Sequence, residues 1–499
     1  MALAVVHSRA ALGVEAPPVA VEVDIASGLP ALTIVGLPET AVKEARERVR
    51  SAITNAGFDF PTRRITVNLA PADLPKEGGR FDLPMAVGIL AASGQLPTDD
   101  VAQWEFAGEL GLNGELRPIG GLIPMAVQTE QAGRGLMGPA RTTDEAALAT
   151  PGNAYGADHL LDVCAHLQGN QRLSAAAPSQ PAEDRAAPDM ADIRGQGQAR
   201  RAMEIAATGG HSLLLSGPPG TGKSMLASRL PGILPPMTTQ ECLETSAVHS
   251  VSETGFNPNQ WGERPFRSPH HSASHIALIG GGTRPQPGEV SLAHNGVLFL
   301  DELPEFQRNA LEVLREPLET GRVVISRAAA KLTYPADCQL IAAMNPCPCG
   351  YHGDPSAECR CSPDQIARYG ARISGPLLDR IDMSVEVPRL NAVELRHSGG
   401  GESSESVRQR VVHARGRQMA RDGIGAARLG ASHVEASCPL TEGASRLLDR
   451  ALEQLGLSAR AYHRCLRLAR TIGDLDNADR LAEHHVAEAV TYRRAMPGH

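Results

Sequence analysis

Between Gly217 and Ser224 the chain reads GPPGTGKS, which fits the spacing G-x-x-x-x-G-K-[ST]. In a loop of Gly217, Pro218, Pro219, Gly220, Thr221 and Gly222, residues without a Cβ let backbone N–H groups wrap phosphate oxygens. Lys223 then brings a point charge to the β- and γ-phosphates, and the Ser224 hydroxyl reaches Mg²⁺. The apolar run SLLLS precedes the loop and MLASRL follows it, the strand and helix that the motif requires. Downstream, GVLFLDE (Gly296 to Glu302) is an apolar strand ending in two acids. There Asp301 would hold Mg²⁺ through water and Glu302 would polarise an attacking water. A third apolar run, LIAAMNP, puts Asn345 at its tip, placed either to orient that water or merely to begin a turn before Pro346. The expected cofactors are ATP and Mg²⁺.

Directly after that run, MNPCPCGYHGDPSAECRC carries Cys347, Cys349, Cys359 and Cys361 as two Cys-x-Cys pairs around a polar, Gly- and Pro-containing loop. Four thiolates in two pairs suit a tetrahedral Zn²⁺, although the spacing is tighter than the usual Cys-x-x-Cys. A small loop with little apolar content needs such a staple. Four free thiols, or a disulfide pair, are the alternatives. Cys164 and Cys465 are scattered and read as core or neutral positions.

GRVVISRAAAKLTYPADCQLIAA reads as a hairpin of RVVIS and KLTYP whose tip carries Arg327 and Lys331. A second insertion, roughly Arg264 to Pro287, carries Arg264, Arg267, His270, His271 and Arg284 with a GGGT loop. Basic side chains on loop tips can grip phosphates without reading bases, and an ordinary solvated hairpin is the plain alternative. VRQRVVHARGRQMAR has five arginines and no acid, and reads as a solvated helix face.

Something must position these groups, and 499 residues are too many for one core; at roughly 100–200 residues per domain, about three domains are expected. Residues 1–168 alternate strand-like runs (VAVEVDI, PALTIVGLP, RRITVNLAP) with the helical ETAVKEARERVRSAITNAG. Residues 169–190 form an Ala/Pro-rich, non-periodic linker. Residues 191–394 form the nucleotide-binding α/β core, with the cysteine insertion at 346–362, and 395–499 read as a helical domain after the joint HSGGGESSES. No internal repeat of solenoid period is seen. With 42% hydrophobic and 21% charged residues the composition is that of an ordinary folded protein. A net charge of −8 argues against a protein that coats nucleic acid everywhere, though not against a local basic channel. At 3% aromatics, stacking of single-stranded bases on aromatic platforms is not expected. No apolar run is long enough to span a membrane, and the first residues lack a basic and apolar leader pattern, so a cytoplasmic protein is expected.

The three nucleotide elements in this order resemble those of the AAA+ ATPases. FRSPHHSAS, GEVSLAHNGVLFLDEL, MNPCPCG and ISGPLLDRIDMSVEV resemble the magnesium-chelatase-like AAA+ proteins of the YifB/ComM type, over nearly the whole chain. The resemblance implies a bacterial ring ATPase acting on DNA: a homo-hexameric helicase that promotes branch migration during natural transformation. It implies that Arg380 in LLDRID is an arginine finger reaching a neighbouring subunit's γ-phosphate, and that Arg460 in LSARAYHR is the sensor arginine of the helical lid. It places Ile193 and Gly195 beside the adenine, and projects the hairpin before Asn345 into the ring pore.

PKEGGRFDLPMAVGILAA and GELGLNGELRPIGGLIPMAVQTEQAG resemble the catalytic fold of Lon proteases. The positions of that family's nucleophilic serine and its lysine read Arg80 and Ile123 here. Neither supplies a hydroxyl or a deprotonatable amine, so no peptidase activity is expected. The expected fold is therefore α/β: an AAA+ core with an inactive Lon-like α+β amino-terminal domain and a carboxy-terminal helical lid. The expected activity is ATP hydrolysis coupled to movement on DNA, with a motor that remodels a protein partner as the alternative.

Overall fold

Val19, Val21, Val23 and Ile25 are buried along one face of the strand Pro18–Ala26 while the residues between them stay half-buried. This period-two pattern fixes which face meets the core. The computed structural model describes residues 2–36, 40–76, 78–178, 188–282, 285–326, 331–355, 357–390, 400–455 and 458–494. The protein divides into two compact units. The first comprises Met1–Glu183 with Thr239–Trp261 and Val324–Tyr334; the second comprises Asp184–Thr238, Gly262–Val323 and Pro335–His499.

The first unit is built on a seven-stranded sheet in the order Ala31–Val35, Arg64–Ala70, Pro18–Ala26, Ala2–Arg9, Trp104–Phe106, Gly135–Pro139, Ala154–Ala157. Only the pairs of Pro18–Ala26 with Ala2–Arg9 and with Arg64–Ala70 are antiparallel. The helix Asp82–Ala92 is buried along its whole length. Beyond Asp82, which Arg48 pairs at 2.8 Å, its residues are apolar on every side, so the helix has no face that prefers water. Gly88 brings it onto the sheet, where a Cβ would stand 2.6 Å from Val23 Cγ2. The inserted helix Thr239–Ser250 joins this unit at Gly121, whose N–H donates to Ser250 O at 3.1 Å. The stretch read as a linker begins docked here, with the Ala176 N–H donating to Ala154 O at 2.8 Å.

The second unit holds a five-stranded, all-parallel sheet in the order Phe266–Arg267, Val297–Leu300, Gln339–Met344, Leu213–Ser216, Met383–Glu386. Its central strands are buried almost throughout, as parallel strands covered on both faces must be. The strand first in the chain, Leu213–Ser216, lies between the fourth and the fifth. The register aligns Ser216 with Met344 and Leu300 with Ala342. Gly217, Asp301 and Asn345 therefore emerge together at the carboxyl ends of adjacent strands, beside the point where strand order reverses, where α/β sheets bind ligands. Helices Ser404–Asp422, Glu442–Leu455, Ala459–Leu475 and Glu483–Arg494 make the carboxy-terminal helical part.

Candidate nucleotide site and cysteine cluster

Gly217 has no room for a side chain, since a Cβ would lie 2.2 Å from Val387 O. Gly220 and Gly222 sit at φ +77° and +90°, a region that only glycine enters without strain. Gly222 caps the helix Lys223–Ala227, and Thr221 Oγ1 closes the loop by donating to Pro218 O at 3.0 Å. Lys223 is buried, its Nζ donating to Gly217 O at 2.7 Å, Pro218 O at 2.8 Å and Asn345 Oδ1 at 3.2 Å. Burial pushes its pKa down, and the carboxylates of Asp301 and Glu302 oppose that shift. Ser224 Oγ donates to Asp301 Oδ2 at 2.7 Å, so a hydroxyl and a carboxylate stand together where a hard divalent cation would find two oxygens.

Glu302 takes the left-handed conformation, φ +52°, held by its own N–H donating to Asp301 Oδ1 at 2.9 Å. Its side chain is 52% exposed and meets His271 Nδ1 at 3.2 Å. The sequence groups His271 with the basic side chains of a loop insertion; the fold sets it on the acid at the end of the GVLFLDE strand. The doubled histidine of FRSPHHSAS was the only signal available. Arg264 and Arg267 of the same insertion are also engaged, the first donating to Pro235 O and Asn295 O, each at 2.6 Å, the second paired twice with Glu289.

Ile193 is buried and Gly195 has φ +60°. A Cβ on Gly195 would meet Leu390 Cδ2 at 3.0 Å, and Val387 O abuts Gly217, so the segment Val387–Leu390 links the two glycine positions.

Arg380 is drawn onto its own chain. Its guanidinium pairs with Glu319 at 2.6 Å and donates to Arg315 O at 3.1 Å and Pro376 O at 2.7 Å. Two residues on, buried Asp382 binds Ser212, faces His211 at 3.7 Å and pairs with Arg464 at 2.5 Å. Its pKa is strongly lowered: the His211 side chain and Arg464 overcome the opposing effect of burial. The LLDRID segment thus ties the sheet to the helix Ala459–Leu475, a role that its sequence did not announce. Arg460 stands exposed at the second position of that helix.

The thiols of Cys347, Cys349, Cys359 and Cys361 lie within 4.8 Å of one another. Sγ separations are 3.4 Å for Cys347–Cys349, 3.7 Å for Cys347–Cys359 and 3.6 Å for Cys349–Cys359. A disulfide needs about 2 Å, whereas four sulfurs at about 2.3 Å from one tetrahedral Zn²⁺ stand about 3.8 Å apart. The cluster is therefore compatible with Zn²⁺ and is not a pair of disulfides. Backbone N–H groups of Tyr351 and Arg360 pull the Cys349 thiol down to about 6, whereas desolvation and the neighbouring thiols push those of Cys359 and Cys361 up, so without a cation the cluster favours one thiolate rather than four.

The hairpin forms as Arg322–Ser326 and Lys331–Pro335, with Lys331 exposed and Tyr334 buried against Gly13, both in the first unit. Arg284 and Arg327 lie outside the described residues. Every arginine of the helix Ser404–Asp422 has a partner within the second unit: Arg408 pairs with Glu405, Arg410 with Glu204 and Glu402, Arg417 with Asp479 and Arg421 with Asp474, while Arg415 donates to Thr208 O. In the first unit Arg80 is buried and donates to Gly120 O at 2.6 Å and Arg9 O at 3.4 Å, and Ile123 is fully buried.

A parallel sheet in this strand order, with a phosphate loop, an Asp-Glu strand end, an asparagine-tipped strand and an attached helical domain, defines an AAA+ ATPase of the magnesium-chelatase kind. Family profiles agree: Magnesium chelatase, subunit ChlI matches residues 189–395, Subunit ChlI of Mg-chelatase matches 21–141, and Magnesium chelatase, subunit ChlI C-terminal matches 401–493. The chain is 52% identical over 495 residues to the uncharacterized protein YifB of Salmonella typhimurium, covering 99% of this chain and 97% of that one. It is 51% identical over 501 residues to the competence protein ComM of Haemophilus influenzae, covering 99% and 98%. A 95-residue stretch is 30% identical to Lon protease 2 of Bacillus subtilis, 19% of this chain and 17% of that one. The chain belongs to the YifB/ComM family. The Mg-chelatase-like AAA+ family implies ATPase activity with ATP and Mg²⁺, and the Lys223, Ser224 and Asp301 cluster fits both. No described helix is long and apolar enough to cross a membrane.

Proposed function

We propose that this chain is an ATP-driven DNA motor that works as a cytoplasmic homo-hexamer and promotes branch migration in the recombination of transforming DNA. The observation that carries the reading is the convergence of Lys223, Ser224, Asp301, Glu302 and Asn345 at one edge of the parallel sheet. Full-length similarity to a protein named for competence supports the DNA pathway.

In this reading Lys223 exchanges the carbonyls of Gly217 and Pro218 for phosphate oxygens as nucleotide enters. Ser224 and Asp301 would hold Mg²⁺, whose charge would offset that of the phosphates. Glu302 orients and deprotonates the attacking water, assisted by Asn345. Arg380 leaves Glu319 to meet the phosphate of a neighbouring copy, Arg460 closes from the lid, and Ile193 and Gly195 flank the base. Arg284, Arg327 and Lys331 grip DNA phosphates. Cys347, Cys349, Cys359 and Cys361 would hold one structural Zn²⁺. The amino-terminal domain is a Lon-type scaffold without peptidase activity, because Arg80 and Ile123 supply neither the hydroxyl nor the deprotonatable amine of a Ser–Lys dyad.

The test is the ATPase rate with no DNA and with single-stranded, duplex and branched DNA, together with ATP-dependent separation of a forked substrate. Stimulation by branched DNA and strand separation are expected. A rate indifferent to every DNA, with no strand separation, would transfer the motor to a protein partner.

A further inference from the structure

The first cysteine, Cys347, follows by only two residues Asn345, which accepts from Lys223 Nζ at 3.2 Å. The cysteine loop then returns to the nucleotide site a second time. Gly350 is buried at φ +86°, and a Cβ there would stand 2.6 Å from Pro219 Cδ and 2.8 Å from Pro219 Cγ. Pro219 is the third residue of the phosphate loop, and a pyrrolidine ring cannot swing aside as a long side chain can. Gly350 is held in place by its N–H, which donates to Cys347 O at 3.0 Å, and Cys347 is fully buried. The four sulfurs are therefore gathered by the same short segment whose backbone supports the phosphate loop.

We infer that the metal-filled cysteine cluster is a wall of the nucleotide site, and that its metal sets the affinity for ATP through the contact of Gly350 with Pro219. The inference rests on the Zn²⁺ and ATP readings above. The loop from Cys347 to Cys361 has little apolar area with which to hold itself closed, so binding four thiolates to one ion supplies its order. Without the ion, Gly350 is no longer pressed on Pro219 and the phosphate loop loses its outer support. The coupling is reciprocal, so bound nucleotide must in turn retain the metal.

Fluorescent ATP is titrated into full-length protein as purified, after treatment with a zinc chelator, and after Zn²⁺ is restored. Removal should weaken ATP binding about tenfold, with recovery on restoration. Gly350→Ala should keep one zinc per chain and still weaken ATP binding to a similar degree, which separates the contact from unfolding of the loop. Bound ATP should slow release of zinc to the chelator. Zinc-free protein that binds ATP unchanged, or Gly350→Ala with unaltered affinity, overturns the coupling and leaves the metal reading standing. Protein that neither contains nor takes up zinc overturns the metal reading itself.

Discussion

His271 Nδ1 stands 3.2 Å from Glu302 Oε2, so the acid at the end of the GVLFLDE strand is oriented by a side chain from a separate insertion. A carboxylate that is 52% exposed needs such a partner to keep one direction. His271→Ala should lower kcat about tenfold while leaving KM for ATP nearly unchanged, the pattern of lost positioning in the transition state. Glu302→Gln should retain ATP binding and end turnover. Steady-state rates beside nucleotide titrations separate the two, and His271→Ala with full kcat would remove His271 from the site.

Arg380 is occupied by Glu319 and two backbone carbonyls of its own chain. A finger acting on a neighbour must first leave them. Arg380→Ala should cost about a thousandfold in kcat with ATP binding intact. Mixing it with Lys223→Ala subunits, each inactive alone, should restore part of the rate, because intact loops then face intact arginines. No recovery in the mixture, measured across a range of ratios, would place Arg380 outside the hydrolytic seam.

Glu145 in the helix Ala140–Ala146 has its pKa raised by burial from 4.5 to about 7. The folded state therefore holds this proton more tightly than the unfolded state does. Its contribution is full below about pH 4.5 and is lost as pH rises through about 7. Glu145→Gln should stabilise the first unit by roughly 1–2 kcal/mol at pH 8, after allowance for partial exposure, and change little at pH 4.5. Thermal unfolding of wild type and variant at the two pH values reads the difference.

Asp474 is fully buried in the helix Ala459–Leu475, bound twice by Arg421, at 2.7 and 3.0 Å, and once by Arg470 at 3.0 Å. Removing one partner of a buried ion pair leaves uncompensated charge. Asp474→Asn should cost the second unit about 3–5 kcal/mol, seen as a fall in its unfolding transition with the first unit's unchanged. A loss below about 1 kcal/mol would mean that solvent reaches the arginines.

Much of this was legible in the residues. RVVIS and KLTYP form the two strands that their alternation indicates. The stretch after HSGGGESSES that reads as helical forms helices, among them Ser404–Asp422, Glu442–Leu455, Ala459–Leu475 and Glu483–Arg494. GPPGTGKS lies between a strand and a helix as its motif demands. Such features are written in neighbouring residues, because helix and strand periods, glycine conformations and cysteine spacing act over a few positions.

The sequence by itself determined the glycine-rich loop between strand and helix, the two acids at the end of GVLFLDE and the cysteine set. Tertiary structure alone decided that His271 meets Glu302, that Arg380 rests on Glu319, that Asp382 binds Arg464 and that Gly350 supports Pro219. The physical reason is distance along the chain. Each of these pairs joins segments carried together by a parallel sheet and its crossovers, and no local period records which buried charge or rigid ring will stand opposite another.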